Sequence, residues 1–311
     1  MPLTTPAIEV KSLAKSYGRL KAVDGVSFSV GTGEIFGMVG PNGAGKTTTI
    51  ECLEGMRFPE GGELQVLGLD PRKDGQALRE RIGVQLQQSA LPDDMKVWEA
   101  LDLFASYYRK PAAWKPLLDR LEISDKTNTR FSKLSGGQKQ RLFIALALIN
   151  DPELVFLDEL TTGLDPHARR SMWDLVRAIR EKGKTVFLTT HYMEEAEHLC
   201  DRVLVIDHGH VVALDSPANL VRGLKSEIRI LFTAEPGFDP AALQALPGVT
   251  RVEKNGENVI LAGQGDRLIV FVVNALDAAG VRFRNLRTEQ PDLDDVFLAL
   301  TAETGLDGVS R

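Results

Sequence analysis

The sequence contains little of what disulfide-bonded, membrane-spanning or nucleic-acid-binding proteins need. Its 311 residues include two cysteines, Cys52 and Cys200, which lie far apart without metal-ligand spacing, so we expect two free thiols in a reducing compartment. No apolar run approaches the roughly 18 residues of a membrane span, and the first residues lack a secretion signal. Lysine and arginine total 37 against 43 acidic residues, and the net charge of −6 disfavours nucleic acid as a partner. We therefore expect a cytoplasmic protein.

A glycine-rich stretch between two predicted elements indicates a phosphate-binding loop. GEIFGMVG, residues 33–40, predicts a buried parallel strand, and KTTTIECLEGM, residues 46–56, predicts a helix. The spacing of Gly40, Gly45, Lys46 and Thr47 places a loop of backbone N–H groups and a helix N-terminus around a nucleoside triphosphate. We expect Lys46 to reach the outer phosphates and Thr47 to ligate Mg²⁺. The candidate nucleotide ligands of this loop are Gly40, Pro41, Asn42, Gly43, Ala44, Gly45, Lys46, Thr47 and Thr48.

Two carboxylates, Asp158 and Glu159, follow the apolar run ELVFL. Because strand side chains alternate, the two are expected to point to opposite sides. We assign Asp158 as a metal ligand and Glu159 as the general base that polarises the attacking water. The alternative, a strand that ends in two solvated acids, is less favoured downstream of a phosphate-binding loop.

A second polar turn opens the apolar helix LSGGQKQRLFIALALI, residues 134–149. Ser135 is a good N-cap, so one interpretation is a capped core helix whose glycines form the turn. The other is a second anion site at a helix N-terminus, although one loop already holds the phosphates. The local sequence alone favours the capped core helix.

The order of GPNGAGKTT, LSGGQ and LDE resembles the ATP-binding cassette family, the nucleotide-binding subunits of ABC transporters. The resemblance covers residues 7–220 and implies that ATP and Mg²⁺ are bound. It also implies a head-to-tail homodimer, in which LSGGQ of one subunit caps the ATP held by the phosphate-binding loop of the other. The capping residues would be Ser135, Gly136, Gly137 and Gln138.

Further roles follow from the same resemblance. Tyr17 in KSYGRLKAV would stack on adenine, and His191 after TVFLTT would contact the γ-phosphate and hold the catalytic geometry. Asp165 in TTGLDP would belong to a loop that communicates across the dimer. Taken alone, an isolated strand tyrosine more often packs, and a lone histidine is more often structural. Leu160 stands where most relatives have proline, which alters local stiffness but none of the charged groups.

The resemblance also implies a glutamine that would be a catalytic residue and sense the metal. Gln87 is the best match in GVQLQQS, and Gln85 or Gln88 would replace it if the register shifts. With Lys46, Glu159 and His191, it completes the predicted catalytic set.

The predicted fold is an α/β P-loop NTPase of the ABC cassette type. Residues 1–222 would hold a mostly parallel core sheet, an antiparallel β subdomain and a helical insertion at about residues 88–150. Residues 223–311 alternate strands and helices as a small C-terminal α+β domain. That domain resembles the appendage of bacterial export cassettes that include the daunorubicin-type drug-resistance ATPases, and a generic α+β domain is the alternative.

The resemblance implies an ATP-hydrolysing subunit that drives a separate membrane permease from the inner face of the cell membrane. The cargo would be a drug-like or other hydrophobic compound. The alternative is a non-transport cassette in DNA repair or on ribosomes, but the long coiled coil or second cassette typical of those proteins is absent from this sequence. A nucleotide kinase or GTPase would lack LSGGQ, and the guanine-reading N-K-x-D motif is also absent.

Overall fold

The computed structural model describes residues 6–85, 90–224, 227–235, 237–265 and 267–306, with side chains as far as Thr301. The chain divides into two compact units after Pro217, slightly earlier than the expected division between residues 222 and 223. In the described residues, the first unit has two sheets and the second has one.

The first unit contains nine strands and seven α-helices in its described part, and an eighth helix begins at its last residue. The strands are β1 (Ile8–Tyr17), β2 (Leu20–Val30), β3 (Ile35–Val39), β4 (Gly61–Val66), β5 (Ile82–Gln85), β6 (Leu154–Asp158), β7 (Thr185–Thr190), β8 (Arg202–Asp207) and β9 (His210–Asp215). The helices are α1 (Lys46–Leu53), α2 (Gly75–Arg79), α3 (Val97–Ala105), α4 (Trp114–Arg120), α5 (Gly136–Ala147), α6 (Pro166–Glu181), α7 (Met193–Leu199) and α8 (Pro217–Gly223), the last of which crosses the division.

The core sheet has six strands in the order β5-β6-β7-β3-β8-β9. All neighbours pair in parallel except the terminal hairpin of β8 and β9. Every residue of β3, β6 and β7 is buried, as expected for parallel strands covered on both faces. The carboxyl ends of these three strands therefore meet at one edge of the sheet.

An antiparallel sheet of order β2-β1-β4 packs against the core sheet. The interface contains Phe28 of β2 stacked on Phe36 of β3, with ring centroids 5.5 Å apart. Phe36 in turn lies 5.6 Å from Phe187 of β7. These buried aromatic contacts position the β1–β2 hairpin, which carries Tyr17, relative to the strand that leads into the phosphate-binding loop.

The helical insertion is present, with shorter helices than the sequence predicts. The periodicity of the sequence predicts helices over about residues 97–109 and 113–123. In the structure, α3 ends at Ala105 and α4 covers Trp114–Arg120. Turns and short 3₁₀ helices at Ser124–Lys126 and Phe131–Lys133 make up much of the rest. Trp114 donates its indole N–H to Asp102, 2.7 Å away, and so links α4 to α3.

The second unit contains the strands and helices expected from its sequence. The strands are β10 (Ile228–Ala234), β11 (Val249–Asn255), β12 (Asn258–Gly263) and β13 (Phe283–Glu289), and the helices are α9 (Ala241–Gln244), α10 (Leu268–Ala278) and α11 (Leu293–Leu306). The sheet is antiparallel with the order β11-β12-β10-β13. Its core joins Ile230, Phe232 and Leu261 of the strands to Val272 and Leu276 of α10. Among the described helices of both units, none has the length and apolar character needed to span a bilayer.

Candidate nucleotide-binding site

The loop between β3 and α1 has the backbone that the sequence predicts. A Cβ atom at Gly40 would lie 2.2 Å from the carbonyl oxygen of Ile206 in β8. At Gly45 the φ angle is +105°, and a Cβ atom would lie 2.3 Å from the carbonyl oxygen of Ala22. These two glycines are therefore required by the packing of the loop on its own chain, in addition to any ligand that approaches it.

Lys46 is the first residue of α1, and its side chain turns back over the loop. Its Nζ donates hydrogen bonds to the carbonyl oxygens of Gly40 and Pro41, at 2.8 and 3.0 Å. Burial lowers the pKa of the Lys46 ammonium, while Glu159 and Asp158 oppose that change. The cation is poorly hydrated in this position, so it would interact strongly with an anionic ligand.

The acid pair lies at the carboxyl end of β6, beside the loop. Asp158 is buried and accepts a hydrogen bond from the hydroxyl of Thr189 in the neighbouring β7. Burial raises the pKa of the Asp158 carboxyl, the Thr189 hydrogen bond lowers it, and Glu159 raises it further. Asp158 is thus held in place by the adjacent strand.

Glu159 leaves the strand with a positive φ of 49°, which turns its side chain out of the β pattern. Its backbone N–H donates to the Thr189 carbonyl oxygen at 3.1 Å, and its Oε2 accepts from the Thr162 hydroxyl at 3.3 Å. His191 Nδ1 lies 3.5 Å from Glu159 Oε1. The predicted general base and the predicted histidine therefore lie side by side.

A cavity of about 370 Å³ brings the phosphate-binding loop together with residues distant in sequence. Its lining residues are Tyr17, Leu20, Ala22, Asn42, Gly43, Gly45, Lys46, Thr47, Thr48 and Glu159. The Tyr17 side chain is 42% exposed, and the Arg57 guanidinium lies 5.5 Å from its ring centroid. Tyr17 is therefore an open aromatic surface at the cavity and not a core residue.

Oxygen donors in the cavity and beside it fit Mg²⁺. Thr47 offers an exposed hydroxyl, and Asp158 offers a carboxylate next to Lys46. Within the described residues, no cluster of three or more histidine, cysteine or acidic side chains could hold a metal by itself. Mg²⁺ suits such a sparse site, because it commonly takes one or two protein oxygens and completes its shell with phosphate oxygens and water.

The LSGGQ turn is a capped helix start, as its local sequence suggests. The Ser135 Oγ accepts from the Gln138 N–H at 3.3 Å, and the Gln138 side chain accepts from the Ser135 N–H at 3.0 Å. However, Cβ atoms at Gly136 and Gly137 would meet no atom closer than 3.9 Å. The packing of this chain does not require either glycine, and residues 135–138 do not line the cavity that contains the phosphate-binding loop.

Asp165, another predicted residue, does not line the cavity. Asp165 is the N-cap of α6 and accepts from the Ala168 N–H at 2.9 Å. The Leu164 side chain before it approaches the position of a Gly136 Cβ atom to 3.9 Å, so the Asp165 loop lies next to the LSGGQ turn. Gln87 and the alternative Gln88 lie outside the described residues, and Gln85 is buried at the end of β5 opposite Leu157.

The site also contains residues that sequence reasoning missed. Thr189 contacts both members of the acid pair, and Leu20 contributes an exposed apolar side chain to the cavity. A threonine near the end of the buried run TVFLTT was a usable signal, since a polar side chain in a buried strand needs a partner. Leu20 had no comparable signal beyond its position after the Tyr17 turn.

Known proteins with similar sequences point to the same family as the motifs do. The family described as ABC transporter matches residues 23–162. The Nod factor export ATP-binding protein I of Rhizobium meliloti is 42% identical over 304 residues, which cover 96% of this chain and 88% of that protein. The chain belongs to the ABC transporter family. A protein of the same name from Ralstonia nicotianae is 40% identical over 309 residues, with coverage of 96% and 94%.

Solved structures agree with this ABC transporter fold. The cbiO1 protein of Clostridium perfringens, described as part of the ABC transporter complex cbiONQ, is 25% identical with a TM-score of 0.63, covering 70% of this chain and 94% of that chain. An ATP-binding cassette described as dimeric, in a post-hydrolysis state with ADP and Pi, is 26% identical with a TM-score of 0.61, covering 67% and 98%. The chain is thus the ATP-binding subunit of an ABC transporter, a class whose members pair and work with membrane permeases.

Proposed function

We propose that this subunit hydrolyses MgATP and drives export through a separate permease at the inner face of the cell membrane. The observation that carries the proposal is the cavity that joins Tyr17, Lys46, Thr47 and Glu159, while the LSGGQ turn of the same chain lies outside it. A nucleotide held in the cavity would therefore meet an LSGGQ turn only when a second copy supplies one.

ATP would lie with its adenine on the Tyr17 ring and its phosphates in the loop of residues 40–48. The exposed ring favours stacking, and the desolvated Lys46 favours the outer phosphates. Thr47 and Asp158 would hold Mg²⁺, whose positive charge would offset the negative charge of the phosphates. Gln87 remains the proposed metal-sensing residue.

Hydrolysis would use Glu159 as general base and His191 as its neighbour. Glu159 accepts a proton from water as the water oxygen attacks the γ-phosphorus, and the bond to the ADP oxygen breaks. With Nδ1 3.5 Å from Glu159 Oε1, His191 would orient the carboxylate and contact the γ-phosphate. Products are ADP and inorganic phosphate.

Two subunits would pair head to tail around two ATP molecules. Ser135, Gly136, Gly137 and Gln138 of each would cap the γ-phosphate bound by the other, and the adjacent Asp165 loop would contact the partner. The free space over Gly136 and Gly137 supports this role, since close backbone approach to a ligand needs glycine where internal packing does not.

For the cargo, the relatives named as Nod factor export proteins support export as the direction. We propose that the cargo is a Nod-factor-like or other hydrophobic compound. Membership in the daunorubicin-type drug-resistance branch, with a drug-like cargo, is the more specific alternative. The cassette itself offers no basis for choosing between them, because cargo is bound by the permease.

The proposal is tested by purifying the tagged chain from membranes and identifying what accompanies it. We expect an apolar, multi-spanning polypeptide in near-equal amount, and ATP hydrolysis that rises when the two are reconstituted together in vesicles. Co-purification with ribosomes or DNA would contradict the transport function.

A further inference from the structure

The first unit contains a second cavity of about 360 Å³, formed by the helical insertion and the core. Its apolar wall consists of Ala112, Ala113, Pro116, Leu117, Leu148 and Ile179. Its charged lining residues are Arg120, Asp151, Lys182 and Lys184. We call it the insertion cavity.

The insertion cavity lies at the edge of the core sheet opposite the nucleotide site. Asp151 shortly precedes β6, and Lys184 immediately precedes β7. These strands are parallel, and their other ends carry Asp158 and Thr190 beside the phosphate-binding loop. A strand of this length spans roughly 17 Å, so one ATP molecule in the nucleotide site does not also fill the insertion cavity.

The cations of the insertion cavity are only partly neutralised. Lys184 Nζ donates to Asp151 Oδ1 at 2.7 Å, which pairs one cation with the one lining acid. In the ranges that the structure describes, Arg120 and Lys182 form no ion pair. Burial lowers the pKa of Lys182, and the positive charge of Arg120 lowers it further. Asp151 raises this pKa by less than Arg120 lowers it, and Lys184 adds a still smaller lowering. Arg120 and Lys182 thus leave a concentration of positive charge next to an apolar wall.

We propose that the insertion cavity binds a small amphiphilic anion, whose phosphate or carboxylate lies between Arg120 and Lys182 and whose apolar body contacts Leu117, Leu148 and Ile179. Small-molecule sites of about 300–1,000 Å³ typically combine a mostly apolar lining with a few polar groups that orient the ligand, as here. Because one wall is α4 of the insertion and another is α6 of the core, the bound anion links the two.

The test uses the purified full-length chain saturated with MgADP, so that the phosphate-binding loop is occupied. Octyl phosphate and octanoate, each below its micelle concentration, are titrated by isothermal calorimetry. We expect one-to-one binding of at least one of them, and at least tenfold weaker binding of inorganic phosphate and of 1-octanol. Equal binding of inorganic phosphate would overturn the apolar half of the proposal, equal binding of 1-octanol would overturn the anionic half, and no binding of either amphiphile would overturn both.

Two pairs of substitutions test where the amphiphile binds. The pair Arg120→Gln and Lys182→Gln should weaken binding at least tenfold. The control pair Lys115→Gln and Arg170→Gln removes the same charge from α4 and α6 outside the cavity and should leave the affinity unchanged. Equal loss in both pairs would show a response to net charge alone, and no loss in the first pair would refute the site.

The apolar wall is tested by Ala113→Phe, which fills part of the insertion cavity without a change in charge. We expect weaker binding of the amphiphile, with circular dichroism and ADP affinity like those of the wild type. Unchanged amphiphile binding in this folded variant would place the ligand elsewhere.

Discussion

Replacement of Glu159 by glutamine is expected to convert the subunit into a stable, ATP-dependent dimer. Glutamine is nearly isosteric and tolerates the φ of 49° about as well as glutamate, so the backbone hydrogen bond to Thr189 should persist. Lys46, Thr47 and Asp158 still bind MgATP. However, the amide accepts no proton from the attacking water, and loss of a general base slows hydrolysis by about 100- to 10,000-fold. The nucleotide that bridges the subunits would then remain intact.

The free energy needed to hold the ATP-bound dimer closed is similar to what the two capping turns can supply. Moving a two-state equilibrium from mostly open to mostly closed takes about 5.5 kcal/mol. One hydrogen bond from each LSGGQ turn to a charged γ-phosphate, at about 1.5–3 kcal/mol each, gives roughly 3–6 kcal/mol for two sites. The positive end of the α5 dipole adds about 0.3–1 kcal/mol per site. The closed dimer should therefore persist only while both ATP molecules are intact.

The assay is size-exclusion chromatography with light scattering, at several protein concentrations, with and without MgATP. Ser135→Arg in the Glu159→Gln background should restore the monomer, because the larger side chain blocks the capping turn while the loop still binds ATP. Ser135→Gly is the matched control for the N-cap, since glycine at this position weakens a helix by only a few tenths of a kcal/mol. A monomeric Glu159→Gln protein at high concentration, with ATP demonstrably bound, would refute the shared-site argument and leave LSGGQ as a capped core helix.

Four other outcomes are expected. Lys46→Ala should reduce ATP hydrolysis roughly 100-fold or more without unfolding, and near wild-type turnover would disprove the phosphate-loop assignment. Glu54 is buried with no hydrogen-bond partner for its carboxylate in the described part of the chain, and burial raises its pKa to about 9, with Asp158 and Glu51 adding to the effect. Because this folded pKa lies above the unfolded value, stability should fall as pH rises from about 5 to about 9, and Glu54→Gln should flatten that fall in thermal melts. A chain truncated before Leu224 should still bind ATP, because the described nucleotide site precedes that point. Fluorescence titration with ATP measures this. We expect the permease to dock on the segment between the predicted glutamine and α3, so Leu91→Glu should leave ATPase activity intact but uncouple it from transport in vesicles. Normal coupling in this variant would exclude the segment as the permease contact.

Much of the candidate site can be predicted from residue patterns within short segments of the sequence. The buried run before Gly40 and the helix after Gly45 specify a strand–loop–helix unit, because burial and periodicity are properties of neighbouring residues. The end of an apolar strand likewise places Asp158 and Glu159 at the carboxyl edge of a parallel sheet. The spacing of Ser135 and Gln138 also predicts the hydrogen bonds between them, because a capping box forms within four consecutive residues. The family resemblance rests on these same short segments.

Other features depend on contacts between segments far apart in the chain. Tyr17 reaches the cavity because the aromatic interface positions its hairpin against β3, and no local periodicity encodes that packing. The requirement for glycine at positions 40 and 45 comes from the carbonyl groups of Ile206 and Ala22, which only the folded sheets bring near.

The sequence by itself determined the element types, their order and the candidate ligands of the nucleotide, since these depend on residue type and spacing. Only the tertiary structure decided that Thr189 holds Asp158, that Glu159 turns toward His191, and that residues 135–138 lie outside the cavity. The reason is physical. Side-chain alternation predicts which face a residue occupies, whereas its partner is set by the strand order and by the positive φ angle at Glu159.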